Sequence, residues 1–258
     1  MNIGVSSACF YPLETEKSIE EIGKLGIKTS EIFFNSPMEL KSPILDEIIK
    51  IKDYYGIIIN CVHPCTSSCE PFFFFSDYKR RFEDMLDFYK KYMESCNKLG
   101  SEILVIHGAR DHMKIEQEDY FERFSRIYEE GKKYGVTVAQ ENVFGHMSGD
   151  PEFLKNMKNY MKDDFKFVFD LKQMRRCDFS EKDFLDELID NIVNVHISDS
   201  LGDQKCLPPG EGNYDLKKFI GLLKDSGYNG NCVIELYRSN YKDYSQLKKS
   251  YEYLSKLI

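Results

Sequence analysis

Short apolar runs alternate along the chain with longer stretches whose apolar residues recur at helical spacing. The runs are residues 3–10 (IGVSSACF), 27–34 (IKTSEIFF), 57–63 (IIINCVH), 101–107 (SEILVIH), 136–141 (VTVAQE), 165–170 (FKFVFD), 192–196 (IVNVH) and 231–235 (NCVIE). Each is rich in β-branched and aromatic residues and reads as a strand buried on both faces, the kind found in parallel sheets. Between them, Phe82, Met85, Leu86, Tyr89, Tyr92, Met93 and Cys96 form an apolar helical stripe. Phe121, Phe124, Ile127 and Tyr128 repeat it, as do Tyr244, Leu247, Tyr251, Leu254 and Ile258. These aromatics are expected to pack on the sheet. Gly26, Gly56, Gly100, Gly135 and Gly227 stand where helices should end, the position at which a left-handed residue closes the last turn. Ser42-Pro43 and Asp150-Pro151 read as an N-cap followed by a proline in the first turn. Helix and strand alternating to a count of eight predict an α/β fold, a single (β/α)8 TIM barrel over residues 1–258, with no linker dividing it.

Four of the runs end on a side chain that can bind a metal: Glu141, Asp170, His196 and Glu235. In a parallel barrel the carboxyl ends of the strands converge on one face, so these residues should meet. Three carboxylates packed together repel, and without a cation some would have to protonate. One divalent ion resolves the conflict. A mixed oxygen and nitrogen donor set suits Mn2+, Mg2+, Co2+ or Zn2+ without choosing among them.

Composition narrows the classes. The 258 residues fit one barrel, and the net charge of −8 argues against a nucleic-acid partner. No charged-then-apolar leader and no long apolar run is visible, so a cytoplasmic protein without a membrane partner is expected. Eight cysteines are then expected as free thiols, several inside strands and helices. Cys61, Cys65 and Cys69 lie loosely around His63 but lack the second paired cluster of a structural zinc knot. The longest loop after a strand, residues 64–76 (PCTSSCEPFFFFS), has the length of a lid. Its phenylalanines either wall the site or pack against a neighbouring helix or subunit.

The order of these motifs resembles the xylose isomerase-like TIM-barrel superfamily, which spans sugar isomerases and epimerases, inosose dehydratases and endonuclease IV. The resemblance covers nearly the whole chain. It rests on His63 in CVHP, His107 in VIHGAR, Glu141 in AQEN, Asp170 in VFDLKQ, and His196 with Asp199 in HISDS. PPGEGNYD at 208–215 and Glu235 in VIELYR complete it. It implies a metal held by Glu141, Asp170, His196 and Glu235, and a sugar or sugar-phosphate substrate. Metal polarisation of an α-hydroxyketone stabilises an enediolate. Glu141 and Glu235 would be the catalytic pair, moving a proton from one face of that plane to the other. His63 and His107 would face the substrate, although in the zinc nucleases such residues are ligands.

The chain departs from the pattern in two places. The Asp-x-x-His motif reads Asp170-Leu-Lys-Gln173, which leaves Gln173 to bind a hydroxyl. The arginine that often follows the metal histidine is missing from DSLGDQ, and Lys205 or Arg238 is expected to compensate. Glu31 would either line the pocket or form an ion pair, and the ion pair is favoured. The alternatives are a dehydratase acting on an inosose or dehydroshikimate, an endonuclease IV-like phosphodiesterase, and a non-catalytic binding barrel. Barrels of this type often pair, so a homo-oligomer is also open.

Overall fold

The computed structural model describes residues 1–258. Its barrel strands are β1 (Asn2–Ser6), β2 (Thr29–Phe33), β3 (Ile58–His63), β4 (Ile103–Ile106), β5 (Thr137–Glu141), β6 (Phe167–Asp170), β7 (Ile192–Ile197) and β10 (Asn231–Ile234). All eight pair in parallel and close in the order β1-β10-β7-β6-β5-β4-β3-β2, the barrel that the alternation predicts. The surrounding long helices are α1 (Thr15–Lys24), α2 (Ile44–Tyr55), α4 (Lys79–Leu99), α5 (Gln117–Lys133), α6 (Pro151–Met161), α8 (Glu181–Leu188), α9 (Leu216–Asp225) and α10 (Tyr244–Ser255). Two short helices, α3 (Glu70–Phe73) and α7 (Leu171–Arg176), lie at the carboxyl ends of β3 and β6. No helix is long and apolar enough to cross a membrane.

The helical stripes pack on the outside of the barrel and the strand interiors fill it. Sixty buried apolar residues form one cluster that includes Tyr89, Tyr92, Phe121, Phe124, Ile127, Leu247 and Leu254. A small separate cluster, Cys61, Val105, Ala139 and Val168, contributes one residue each from β3, β4, β5 and β6. Cys61 is therefore a packing residue, and all eight cysteines are free thiols. Asn60 Nδ2 donates to Asn194 Oδ1 at 3.0 Å between β3 and β7, which lie on opposite sides of the ring. Gly56 and Gly100 close α2 and α4 in the left-handed conformation, with φ of 63° and 74°. Asp150 caps α6 by accepting from Glu152 N, as its position before Pro151 predicts.

The structure corrects two local readings and decides a third between its two alternatives. Residues 7–10 do not extend β1; they form a 3-10 turn capped by the Ser6 hydroxyl, which accepts from Ala8 N. The cap of α2 is Pro43, one residue later than predicted, and the Ser42 hydroxyl bonds to Asp46 instead. The phenylalanines of the long loop do not roof the pocket. Phe74 packs edge-on against Phe82 and Tyr89 of α4, and Phe75 stacks on Tyr120 of α5 at 4.2 Å. The segment after β7 also holds a hairpin that periodicity does not reveal, β8 (Asp199–Leu201) with β9 (Gln204–Leu207).

Candidate metal centre and active site

The strand ends bring the four predicted residues together. Asp170 and His196 are register partners of β6 and β7, so they stand side by side at one height. Glu141 ends β5, and Glu235 follows the last residue of β10. One donor atom from each of Glu141, Asp170, His196 and Glu235 lies within 4.8 Å of every other. His63, His107 and Glu141 form a second such trio, so Glu141 belongs to both.

His196 is the hub. Its Nε2 lies 2.8 Å from Glu31 Oε2, and its Nδ1 lies 3.1 Å from Glu141 Oε1. The same Nδ1 is 3.8 Å from both Asp170 Oδ2 and Glu235 Oε2. Nδ1 is thus the nitrogen that faces the cluster, while Nε2 is held from behind. Glu31 is fully buried and accepts on its other oxygen from the Ser6 hydroxyl at 3.0 Å. The ion pair expected of Glu31 is present, with the candidate metal ligand as its partner. A carboxylate behind a ligating histidine fixes the tautomer and raises the basicity of the free nitrogen.

Glu141 Oε2 is 3.0 Å from His107 Nε2 and 3.4 Å from His63 Nε2. Phe33 stacks on the His63 ring, centroids 4.4 Å apart, and keeps it in place. Asn142 clamps the Asp170 backbone in both directions, accepting from its amide at 2.7 Å and donating to its carbonyl at 2.9 Å. Asp170 Oδ1 caps α7 through Gln173 N, leaving Oδ2 buried without a directed hydrogen bond.

Sequence reasoning missed Lys172. Its Nζ is 2.7 Å from Glu235 Oε2 and 3.2 Å from Asp170 Oδ2, and the side chain is buried. The signal was legible as the third residue of Asp170-Leu-Lys-Gln. The short helix α7, capped by Asp170, turns residue 172 back toward Asp170 and Glu235, which a loop reading does not anticipate. Burial alone drives the Glu235 carboxyl up, but Lys172 and then His196 outweigh it and hold it down at about 2. Burial likewise acts on Glu141, and hydrogen bonds from His107 and His196 hold it well below the usual carboxylate range. Asp170 stays raised by burial, only partly offset by Lys172. Burial disfavours a charged His196, yet Glu31 and Glu235 hold its pKa well above the usual histidine value. The cluster therefore balances its carboxylates with protons and an ammonium group, and a bound dication would take over that charge.

Above the cluster opens a cavity of ≈ 730 Å³. His63, His107, Glu141, Lys172, Gln173 and Glu235 form its base, and Tyr11, Phe33, Leu236 and Tyr237 supply apolar walls. Gln173 and Arg238 line it as expected, but both are partly committed. Gln173 Oε1 accepts from Phe144 N at 3.2 Å, and the Arg238 guanidinium donates to the carbonyls of Tyr241 and Lys242. Lys205 lies in an adjoining cavity, away from the cluster.

Two further buried carboxylates organise the rim. Glu70, in the loop after β3, accepts from the amides of His107 and Gly108 at 2.8 and 2.7 Å and from the Tyr89 hydroxyl at 2.7 Å. It ties that loop to the end of β4. Asp199 accepts from the amides of Ser200, Gly210, Gly212 and Tyr214 and shapes the PPGEGNYD turn. A Cβ at Gly212 would meet Asp199 Oδ1 at 2.3 Å, so this turn needs glycine there.

The chain belongs to the xylose isomerase-like TIM barrel family, whose sequence profile matches residues 19–257. An uncharacterized protein of Methanocaldococcus jannaschii is 26% identical over 259 residues, covering 94% of this chain and 85% of that one. An inosose isomerase of Bacillus licheniformis is 27% identical over 177 residues, 61% of this chain and 62% of its own. Among solved structures, a D-tagatose 3-epimerase-like protein superposes with a TM-score of 0.81 at 24% identity, covering 100% of this chain and 97% of that one.

Proposed function

We infer that this protein is a metal-dependent isomerase or epimerase of a sugar or sugar phosphate. The observation that carries the reading is the convergence of Glu141, Asp170, His196 and Glu235, donor atoms within 4.8 Å of one another, with Glu141 and Glu235 lining a pocket of ≈ 730 Å³. The residues fit a divalent cation: three oxygens and one nitrogen lie within 4.8 Å of one another, and Asp170 Oδ2 is buried beside the Lys172 ammonium, 3.2 Å away, with no well-aligned hydrogen bond. When bound, such a cation supplies Lewis-acid polarisation of a substrate carbonyl and so acidifies the neighbouring C–H.

The chain's own groups move the proton. Glu141 and Glu235 come from separate strand ends, and both are held in the carboxylate form. Removal of the proton by one and its return by the other on the opposite face inverts a carbon; return to the adjacent carbon isomerises the sugar. His63 and His107 hold Glu141 and face substrate hydroxyls, with Gln173 and Arg238 on the pocket wall. The similarity to an inosose isomerase and to a D-tagatose 3-epimerase-like protein supports this class of substrate.

The test is incorporation of deuterium from D2O into a panel of ketoses, ketose phosphates and inososes, with product analysis to separate isomers from dehydrated ketones. Glu141→Gln and Glu235→Gln should each slow exchange by about 10²–10⁴-fold. Full exchange in both variants would refute the two-glutamate scheme. The trio His63, His107 and Glu141 favours one second reading, a two-metal hydrolase, because it provides a further donor set that shares a carboxylate with the first.

A further inference from the structure

The reaction pocket has a neighbour of opposite character. A cavity of ≈ 570 Å³ lies beside it, and Lys172, Tyr237 and Ser239 line both. The base of the main pocket concentrates buried carboxylates. The side cavity instead collects Lys172, Arg176 and Lys205 against one acidic residue, Asp203. On a chain of net charge −8 this grouping does not follow from overall composition.

Lys172 spends its charge on Glu235 and Asp170. The other two cations are uncommitted. Arg176 donates from Nη1 to the Tyr237 hydroxyl at 3.2 Å and lies over the Phe144 ring at 4.7 Å, contacts that orient its guanidinium without neutralising it. Lys205 sits on β9 of the hairpin, half-buried, with no carboxylate within 4.0 Å. Arg176 comes from α7, the helix that Asp170 caps, so the side cavity is built on the same element as the metal-capable cluster.

We propose that this side cavity is an anion subsite, and that the preferred substrate is a sugar carrying a phosphate or carboxylate at the end remote from its carbonyl. The proposal rests on the isomerase/epimerase reading of the main pocket and narrows it. A planar guanidinium held at one edge presents its remaining N–H groups to an oxyanion, and an ammonium adds a point charge beside it. A cationic cleft on an acidic surface also focuses anions toward its mouth.

Inorganic phosphate is the first probe, followed by calorimetry on the metal-loaded full chain. Wild type should bind it, and Arg176→Gln/Lys205→Gln should weaken binding by at least tenfold with metal content and melting temperature retained. Arg176→Lys should recover part of the loss. Equal phosphate binding by wild type and the double variant would overturn the subsite. The second arm compares KM for deuterium exchange among neutral ketoses, ketose phosphates and sugar-derived keto acids. A KM at least tenfold lower for a charged series, raised in the double variant, is the expected result, and the better series distinguishes phosphate from carboxylate. Equal KM for neutral and charged sugars would overturn the substrate assignment. Exchange into no sugar at all would refute the isomerase reading and the substrate assignment with it, while the phosphate arm still reports on the cavity.

Discussion

Glu31 Oε2 stands 2.8 Å from Nε2 of His196, so the one nitrogen ligand of the candidate metal centre is oriented by a carboxylate from another side of the barrel. β2 and β7 lie three places apart in the ring, and the contact crosses the interior. The Ser6 hydroxyl in turn holds Glu31, its register partner on β1. Glu31→Gln keeps an acceptor and should weaken metal binding by about tenfold; Glu31→Leu should approach about a hundredfold. Titration with Mn2+ or Co2+ measures both. Unchanged affinity in Glu31→Leu would show that His196 needs no support from behind.

Lys172 lies where it screens Asp170 from Glu235 in the metal-free protein. Removing one partner of a buried ion pair leaves the other charge uncompensated, so metal-free Lys172→Met should be about 3 kcal/mol less stable. The ammonium also repels an incoming dication. The variant should therefore bind metal about tenfold more tightly or better, since a few kcal/mol of repulsion at ~4 Å is removed. Thermal melts with and without metal read both effects. A variant that loses stability and metal together would contradict the screening role.

Asp199 accepts four backbone amides at the turn after the hairpin. Asp199→Ala leaves those donors without their shared carboxylate and should cost about 3 kcal/mol in urea unfolding. Metal content should stay at the wild-type value, because Asp199 is outside both metal-capable groups. Loss of metal with retained stability would reverse the assignment.

His146 is buried and its Nε2 has no partner. Burial first, then the neighbouring charges of His107 and Arg110, lower its pKa to about 4. The unfolded chain, titrating near ~6.5, then binds more protons than the folded chain between those two values. Stability from this residue is full above about pH 6.5 and is lost as pH falls toward about 4, on the order of 3 kcal/mol. His146→Gln should flatten that part of the stability–pH curve, measured by urea unfolding at pH 7 and pH 4.5. An unchanged slope would show that His146 is protonated in the folded state.

Much of this was legible in the sequence because its causes are local. Strand runs, helical stripes and left-handed glycines set the barrel, and strand-end positions set Glu141, Asp170, His196 and Glu235. What escaped depends on contacts between distant segments. Glu31 could be read as a candidate ion pair, but its partner lies 165 residues away. Lys172 required the short helix that Asp170 caps. Glu70 sits in a loop that looked like an apolar lid, and only the fold shows its carboxylate anchoring that loop to β4. The hairpin β8–β9 is too short and too polar for periodicity to mark.

The most direct measurement is metal per chain by elemental analysis of the purified protein, in wild type and in His196→Ala. About one divalent ion per chain in wild type, lost in the variant, is the predicted result for a centre built on Glu141, Asp170, His196 and Glu235. Two ions per chain would move the assignment to the two-metal hydrolase that His63 and His107 make possible. No ion, even after reconstitution with Mn2+, Co2+, Mg2+ and Zn2+, would contradict the metal centre and the proton-transfer function built on it.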